Sequence, residues 1–120
     1  MKIRAVVLLI AMFAAPAAQA ADDRLVGKWD AIDQPGKWAE FRADGVFSYI
    51  YDTGRPPTIL EVFWKTGWFS KLTLSMAHGG NGTDCKYSLK DDDLTVDNGS
   101  GISCLPHIKM AQKFKRAKAP

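Results

Sequence analysis

The feature that most constrains the fold is a pair of alternating segments, residues 38–43 and 46–51, on either side of Asp44-Gly45. In both segments apolar and polar side chains follow one another with a period of two, which is the pattern of a half-buried β-strand. An Asp-Gly dipeptide between two such runs favours a tight hairpin, because glycine readily takes the positive φ that the turn needs. We therefore predict an antiparallel hairpin whose richer apolar face points into a core. That face carries Phe41, Phe47, Tyr49 and Tyr51.

Residues 25–30 show the same alternation, and we interpret them as the first strand of a small antiparallel barrel. Trp29 then faces the core, while the neighbouring charges of Lys28 and Asp30 face water. Gly27 shares the face of Trp29 and is expected to let another backbone approach closely.

Four further stretches rich in β-branched, aromatic or alternating residues predict the remaining strands. They are residues 59–69, residues 72–76, a meander over residues 85–105 and a last strand over residues 108–116. Alternation is poor in the first of these, so that strand is either buried on both faces or exposes an apolar patch on one. The chain is accordingly expected to be all-β, a small antiparallel up-and-down barrel of about eight strands.

The amino-terminal segment, residues 1–20, has the three parts of a secretory signal peptide. Lys2 and Arg4 supply the positive region, residues 6–15 the apolar run, and Ala18-Gln19-Ala20 the small-x-small cleavage motif. The apolar run is shorter than the roughly 20 residues that span a bilayer, so we expect no stable membrane anchor. Cleavage near Ala20 would leave residues 21–120 as one domain in the periplasm or outside the cell.

Two cysteines, Cys85 and Cys104, remain after this cleavage, and in an exported chain they most simply form one disulfide. A redox or metal pair is disfavoured because the chain has no Cys-x-x-Cys spacing. The outer strands of a regular three-strand meander lie about 10 Å apart. A disulfide needs Cα atoms within about 7 Å of each other. We therefore expect irregular backbone at one of the two cysteines.

The charge of the mature chain gives no case for a nucleic-acid partner. The full sequence has 16 basic and 13 acidic side chains, and loss of Lys2 and Arg4 leaves 14 basic ones. A nearly neutral domain lacks the positive field that nucleic-acid binding requires.

Arg116 shares its face of the predicted last strand with Phe114, which is the core side. An arginine at the rim of a barrel needs a partner, and the face of a tryptophan ring is a suitable one.

Together with Arg116, three segments of the chain resemble the lipocalin-like, or calycin-type, barrel. They are Gly27-Lys28-Trp29, the stretch from Phe41 to Phe47, and Leu89 to Leu94 around an acidic hairpin. The resemblance implies that Gly27, Trp29 and Arg116 are structural, with the arginine packed over the tryptophan near the end of the last strand. It implies a barrel and no single function.

Two groups of aromatic residues are candidates for binding. Trp38, Phe47, Tyr49 and Tyr51 either line an apolar pocket inside the barrel or fill its core. Trp64, Trp68 and Phe69 either form an exposed docking patch for a partner, beside the loop that carries Arg55, or belong to the core.

No constellation of residues indicates catalysis, so we expect that the protein is not an enzyme. Glu40 and Glu61 are the only glutamates, and nothing in the sequence fixes the distance between them. Residues 91–93 are acidic but lack the spacing of a calcium loop, and we expect neither a metal site nor a cofactor.

These observations favour an exported binding protein whose partner is another protein, such as a cell-wall hydrolase or a toxin that it would inhibit. The alternative is carriage of a small apolar ligand inside the barrel. An open mouth lined by Tyr49 and Tyr51 would favour carriage. A filled barrel with Trp64 or Trp68 exposed would favour docking.

Overall fold

The computed structural model describes residues 22–52, 54–77 and 81–118. The predicted signal peptide, residues 1–20, lies outside these described residues. Within the described ranges, no helix has the length and apolar character needed to cross a membrane.

Eight antiparallel strands form a closed barrel in which each strand pairs with its neighbours in chain order. They are β1 Gly27–Ala31, β2 Trp38–Phe41, β3 Val46–Asp52, β4 Thr58–Gly67, β5 Lys71–Ser75, β6 Thr83–Lys90, β7 Asp93–Asp97 and β8 Lys113–Arg116. Pairing of β1 with β8 closes the barrel and sets Trp29 opposite Arg116. The predicted all-β, up-and-down barrel of about eight strands is confirmed.

The two ends of the barrel carry different connections. The turns after β2, β4 and β6 lie at one end, together with Trp29 and Arg116, and we call it the Trp29 end. The connections after β1, β3, β5 and β7 lie at the other end, which includes Cys104 and which we call the Cys104 end.

The predicted hairpin forms between β2 and β3, with Phe41 directly opposite Phe47. Gly45 takes a φ of 92°, and the Asp44 carboxylate accepts a hydrogen bond from the Val46 N–H at 3.2 Å. The rings of Phe41 and Phe47 pack with their centroids 4.9 Å apart. The turn residues therefore set the register that brings the two rings together.

Buried side chains from all eight strands fill the interior as one apolar cluster. Its largest fully buried members are Trp29, Tyr49, Phe41, Phe47 and Phe114. Burial of a side chain of this size contributes about 1.5–3 kcal/mol relative to leaving it exposed. This cluster is therefore the main source of stability for the barrel.

Arg116 packs over Trp29, with the guanidinium carbon 4.2 Å from the centroid of the ring. Its Nη2 donates a hydrogen bond to the Arg24 carbonyl at 2.8 Å, and its Nε donates to the Asp92 carboxylate at 3.2 Å. The Trp29 indole N–H donates to the Leu25 carbonyl at 2.9 Å. The guanidinium thus joins the first strand to the chain before it and to the turn before β7.

Gly27 is required for a different reason from the predicted one. Its φ of 131° lies in a region that residues with a side chain rarely adopt. A Cβ at this position would lie 3.4 Å from Nη1 of Arg116. The close neighbour over β1 is therefore an arginine side chain and not another backbone.

Cys85 and Cys104 form the predicted disulfide, with their Cα atoms 5.5 Å apart. Cys85 lies on β6, whereas Cys104 lies in an irregular segment, residues 98–112. The expectation of irregular backbone at one cysteine is confirmed.

The strand predicted over residues 102–105 does not form, and the last strand is shorter than residues 108–116. Pro106 begins a 3-10 turn, and Lys109 follows it with a left-handed φ of 51°. Backbone of this kind cannot continue a β-ladder. The last strand, β8, therefore begins only at Lys113.

The segment over residues 98–112 closes the Cys104 end of the barrel. Leu105, Met110 and Ala111 belong to the buried cluster. The Ala111 N–H donates a hydrogen bond to the hydroxyl of Tyr49 at 2.9 Å. Tyr49, in the wall of the barrel, is therefore hydrogen-bonded directly to the segment that covers the Cys104 end.

We expect Arg116→Ala to lower the free energy of unfolding by about 2 kcal/mol, because it removes a cation–π contact and several hydrogen bonds. Arg116→Lys should recover only part of this loss, because an ammonium cannot reproduce the planar set of N–H donors of a guanidinium. Urea unfolding followed by tryptophan fluorescence measures both, with Lys113→Ala on the same strand as the control. Equal stability of Arg116→Ala and Lys113→Ala would contradict a stabilising role for the Arg116 side chain.

Removal of the disulfide in a Cys85→Ala, Cys104→Ala double variant should cost about 3 kcal/mol, because the bond closes a loop of about 20 residues. Urea unfolding of the variant and of the reduced wild-type protein should give the same loss. An unfolding midpoint that does not move on reduction would count against this role.

Candidate functional site

The structure buries two of the four residues predicted to line an internal pocket. Phe47 and Tyr49 are fully buried and have a relative exposure of 0%. Tyr51 is half-buried and packs against the same cluster. Burial in the low-polarity interior raises the pKa of the Tyr49 hydroxyl, which already accepts the hydrogen bond from Ala111. Phe47 and Tyr49 therefore belong to the core of the barrel, and Tyr51 lies at its margin.

Trp38 is not brought together with the other three residues. On β2, Ala39 and Phe41 are buried and face the core. Trp38 has the opposite parity and is half-buried on the outer face. The Lys28 ammonium lies over its ring, 4.9 Å from the centroid. The physical reason is parity, because Trp38 is three positions before the inward-facing Phe41 and must point the other way.

An apolar cavity of about 220 Å³ lies at the Cys104 end. Its walls include Leu60, Val62, Leu74, Leu105 and His107. None of the four residues predicted for an internal pocket lines it. Its volume is below the roughly 300–1,000 Å³ of typical ligand pockets.

The predicted docking patch is divided by the structure. Trp64 is buried in the core, where its ring meets Phe41 at a centroid distance of 5.1 Å and its indole N–H donates to the Arg42 carbonyl at 3.0 Å. Arg55 is exposed at the Cys104 end, before β4. The ten residues of β4 separate that end from Trp68 by about 30 Å. Arg55 therefore does not lie on one surface with the exposed aromatic residues.

Trp68 and Phe69 are both exposed, each with 85% of its surface accessible. They belong to a 3-10 turn, Trp68–Ser70, which connects β4 with β5 at the Trp29 end. Phe69 and Ser70 have φ values of 58° and 59°. Two consecutive left-handed residues interrupt the alternation of β4 and turn both aromatic side chains outward. We call residues 68–70 the aromatic turn.

Beside the aromatic turn, the outer wall formed by β4, β5 and β6 carries a cleft of about 680 Å³. Three lysines line it, and we call it the lysine cleft. They are Lys65, Lys71 and Lys86, and the same cleft is lined by Trp68 and Phe69. Aromatic and cationic side chains therefore form one continuous surface.

Strand register explains how the lysines come together. Lys71 on β5 lies directly opposite Lys86 on β6 and directly opposite Gly67 on β4. In the next row Lys65 lies opposite Thr73, which lies opposite Asp84. All three lysines therefore stand on the outer face of three adjacent strands.

One carboxylate lies among these ammonium groups. Asp84 accepts a hydrogen bond from the Thr73 hydroxyl at 2.7 Å, and its second oxygen is 3.9 Å from the Lys71 Nζ. The Lys86 Nζ donates to the carbonyl of Phe69 at 3.0 Å. The cleft thus keeps a net positive charge, with Lys86 tied to the aromatic turn.

A hydrogen-bonded cluster around Asp22 borders the cleft. The Asp22 N–H donates to the hydroxyl of Thr66, which also lines the cleft. Its carboxylate accepts hydrogen bonds from Arg24 Nη2 and from the Tyr87 hydroxyl, both at 2.7 Å. The bond with Arg24 is the main cause that lowers the pKa of Asp22 from 3.8 to about 2. Burial, followed by the bond to Asp22, raises the pKa of Tyr87 to about 12.

The lysine cleft was not predicted from the sequence, because its members are separated along the chain and look like ordinary solvated charges. The available signal was the alternation of β5 and β6, which places Lys71 and Lys86 on the outer face of their strands. Their meeting depends on the register between the two strands, which the sequence pattern does not specify.

The arrangement is suited to binding anionic and apolar groups together. Among the described residues, no group of three or more His, Cys, Asp and Glu side chains is positioned to hold a metal ion. Comparison of the chain with models of known families finds no match, and comparison with curated proteins finds none either.

The pKa of Asp22 gives a specific pH dependence. Because the folded-state pKa is lowered to about 2, this carboxylate contributes stability that is complete above about pH 4 and is lost as pH falls through about 2. Asp22→Asn should therefore lower the free energy of unfolding by about 1 kcal/mol at neutral pH and weaken the acid dependence between these limits. Thermal unfolding from pH 2 to pH 7 measures both effects.

The matched control is Asp23→Asn, which changes the exposed carboxylate next in the chain. It should retain the acid dependence of the wild-type protein. An acid dependence that survives in Asp22→Asn would show that other carboxylates cause it.

Proposed function

We propose that this protein is an exported, lipocalin-like binding protein that docks on another protein through the aromatic turn and the lysine cleft. Inhibition of a cell-wall hydrolase or a toxin in the periplasm is the kind of role that we propose. The proposal includes removal of residues 1–20 as a signal peptide, and the disulfide between Cys85 and Cys104 is consistent with an oxidising compartment.

The observation that carries the proposal is the exposure of Trp68 and Phe69, at 85% each. Large aromatic side chains in contact with water lose the stabilisation that burial would give them. Protein interfaces are enriched in aromatic residues, and a few of these contribute most of the binding free energy. A pair of them beside a charged cleft is therefore a suitable docking surface.

The state of the barrel interior supports the same choice. Phe47 and Tyr49 are fully buried, and the segment over residues 98–112 covers the Cys104 end. A filled barrel leaves little room for a carried molecule, so binding is expected on the outside.

Carriage of a small apolar ligand is the second candidate, and the cavity of about 220 Å³ at the Cys104 end is the observation in its favour. This volume suits only a molecule smaller than the usual occupant of such pockets. Catalysis is not part of the proposal.

Native mass spectrometry of the protein isolated gently from the periplasm of its own host tests the proposal. The wild-type protein should carry a protein-sized adduct. A Trp68→Ser, Phe69→Ser double variant should lose it, with affinity reduced at least about 30-fold, because truncation of an interface hot spot costs about 2 kcal/mol or more. Both residues are exposed and outside the core, so the variant should fold normally.

The matched control is Ile32→Ser, which removes another exposed apolar side chain at the Cys104 end. It should retain the adduct. A co-purifying mass of a few hundred daltons, kept by the double variant, would contradict docking and support carriage.

A further inference from the structure

We propose that the part of the partner bound in the lysine cleft is an acidic polypeptide segment, whose carboxylates lie between Lys71 and Lys86 while its apolar side chains cover Trp68 and Phe69. This inference rests on the proposed docking function and adds the chemistry of the partner.

The balance of charge in the cleft is the first argument. Three ammonium groups face one carboxylate, Asp84, which already accepts the hydrogen bond of Thr73. The nearest ammonium, Lys71, is 3.9 Å from that carboxylate, at the limit of an ion pair. The cleft therefore has unneutralised positive charge that an anionic partner would complement.

The direct opposition of Lys71 and Lys86 is the second argument. Like charges at directly opposite positions of neighbouring strands destabilise a sheet. A carboxylate placed between the two ammonium groups would remove this repulsion and accept hydrogen bonds from both. Repulsion between the two lysines thus destabilises the free protein at this position, and binding of an acidic group would reduce that repulsion.

Gly67, which lies opposite Lys71 on β4, has no side chain to cover the Lys71 ammonium. A Cβ at Gly67 would lie 3.5 Å from Cε of Lys71, in ordinary van der Waals contact, so a longer side chain there would lie against the lysine stem. Without one, a partner chain can reach the Lys71 ammonium from the direction of the aromatic turn. The volume of about 680 Å³ is large enough for several side chains of a peptide.

The link between Lys86 and the aromatic turn favours a polypeptide over a glycan. The Lys86 ammonium donates to the Phe69 carbonyl, so the cationic and aromatic parts of the surface are held together. A polypeptide can present carboxylates and apolar side chains at neighbouring positions. A glycan would need paired donors and acceptors, whereas the charged groups of this cleft are mainly donors.

Zero-length cross-linking tests the inference, because a carbodiimide joins a lysine amine to a carboxylate only when the two are in contact. The protein is mixed with a periplasmic extract of its host, treated with the carbodiimide, digested and analysed by mass spectrometry. We expect linked peptides that join Lys65, Lys71 or Lys86 to Asp or Glu residues of one protein.

The test variant is Lys71→Gln, Lys86→Gln, and the matched control is Lys109→Gln, Lys113→Gln, which removes two exposed lysines at the Cys104 end. The test variant should weaken the complex at least tenfold at low salt and reduce its salt dependence. The control should bind within twofold of the wild-type protein. Thermal unfolding of both variants verifies that they are folded.

The outcomes separate the two proposals. If a complex forms that depends on Trp68 and Phe69, but the test variant binds as well as wild type and no link passes through the cleft lysines, the acidic-segment inference is overturned and the docking function stands. If the linked species is a glycan or a cell-wall fragment, the inference is also overturned. If no complex depends on the aromatic turn, the docking function fails and this inference fails with it.

Discussion

Closure of the sheet is the constraint on which the rest of the structure depends, and the contact between the Arg116 guanidinium and the Trp29 ring lies where the sheet closes. A meander of eight strands has two free edges until its first and last strands pair, and this contact lies at that pairing. The guanidinium also binds the carbonyl of Arg24 and the carboxylate of Asp92. One side chain therefore fixes the closing seam, the chain before it and a turn on a neighbouring strand. Closure removes the exposed edges that would otherwise pair with other chains.

The two ends of the barrel are closed by different means. Arg116 covers one end, whereas the other is covered by the disulfide-linked segment over residues 98–112, which bonds to Tyr49. The aromatic side chains between these closures fill the interior. The lysine cleft, of about 680 Å³, lies on the outer wall, where three strands present lysines beside the aromatic turn.

Local patterns predicted those parts of the fold that depend on local physics. Alternation placed Trp29, Phe47 and Tyr49 on the inner face, and Asp44-Gly45 marked the hairpin. The same rule applied to β2 would have placed Trp38 outside, opposite in parity to Phe41. The disulfide was predicted from the presence of two cysteines in an exported chain. Distances between strands predicted irregular backbone at one of the two, and the structure places it at Cys104.

The features that sequence reasoning missed depend on contacts distant along the chain or on unusual backbone. Phe69 and Ser70 are left-handed, although neither is a glycine, so residue type did not predict the backbone that turns Trp68 outward. The grouping of Lys71 with Lys86 depends on strand register, and register is set by the whole barrel. The lysine part of the proposed binding surface was therefore the least predictable part of the molecule, whereas Trp68 and Phe69 were both predicted as candidates for docking.

The outward position of Trp68 and Phe69 has an evolutionary consequence. The turn that presents them is held by its backbone and by the bond from Lys86 to the Phe69 carbonyl, neither of which involves the two aromatic rings. Substitution of these rings should leave the barrel intact, since surface changes away from packed or capped positions alter stability little. At the proposed docking surface, selection could then exchange one partner for another while the core stays constant, so that the sequence of this turn and that of the core evolve almost independently.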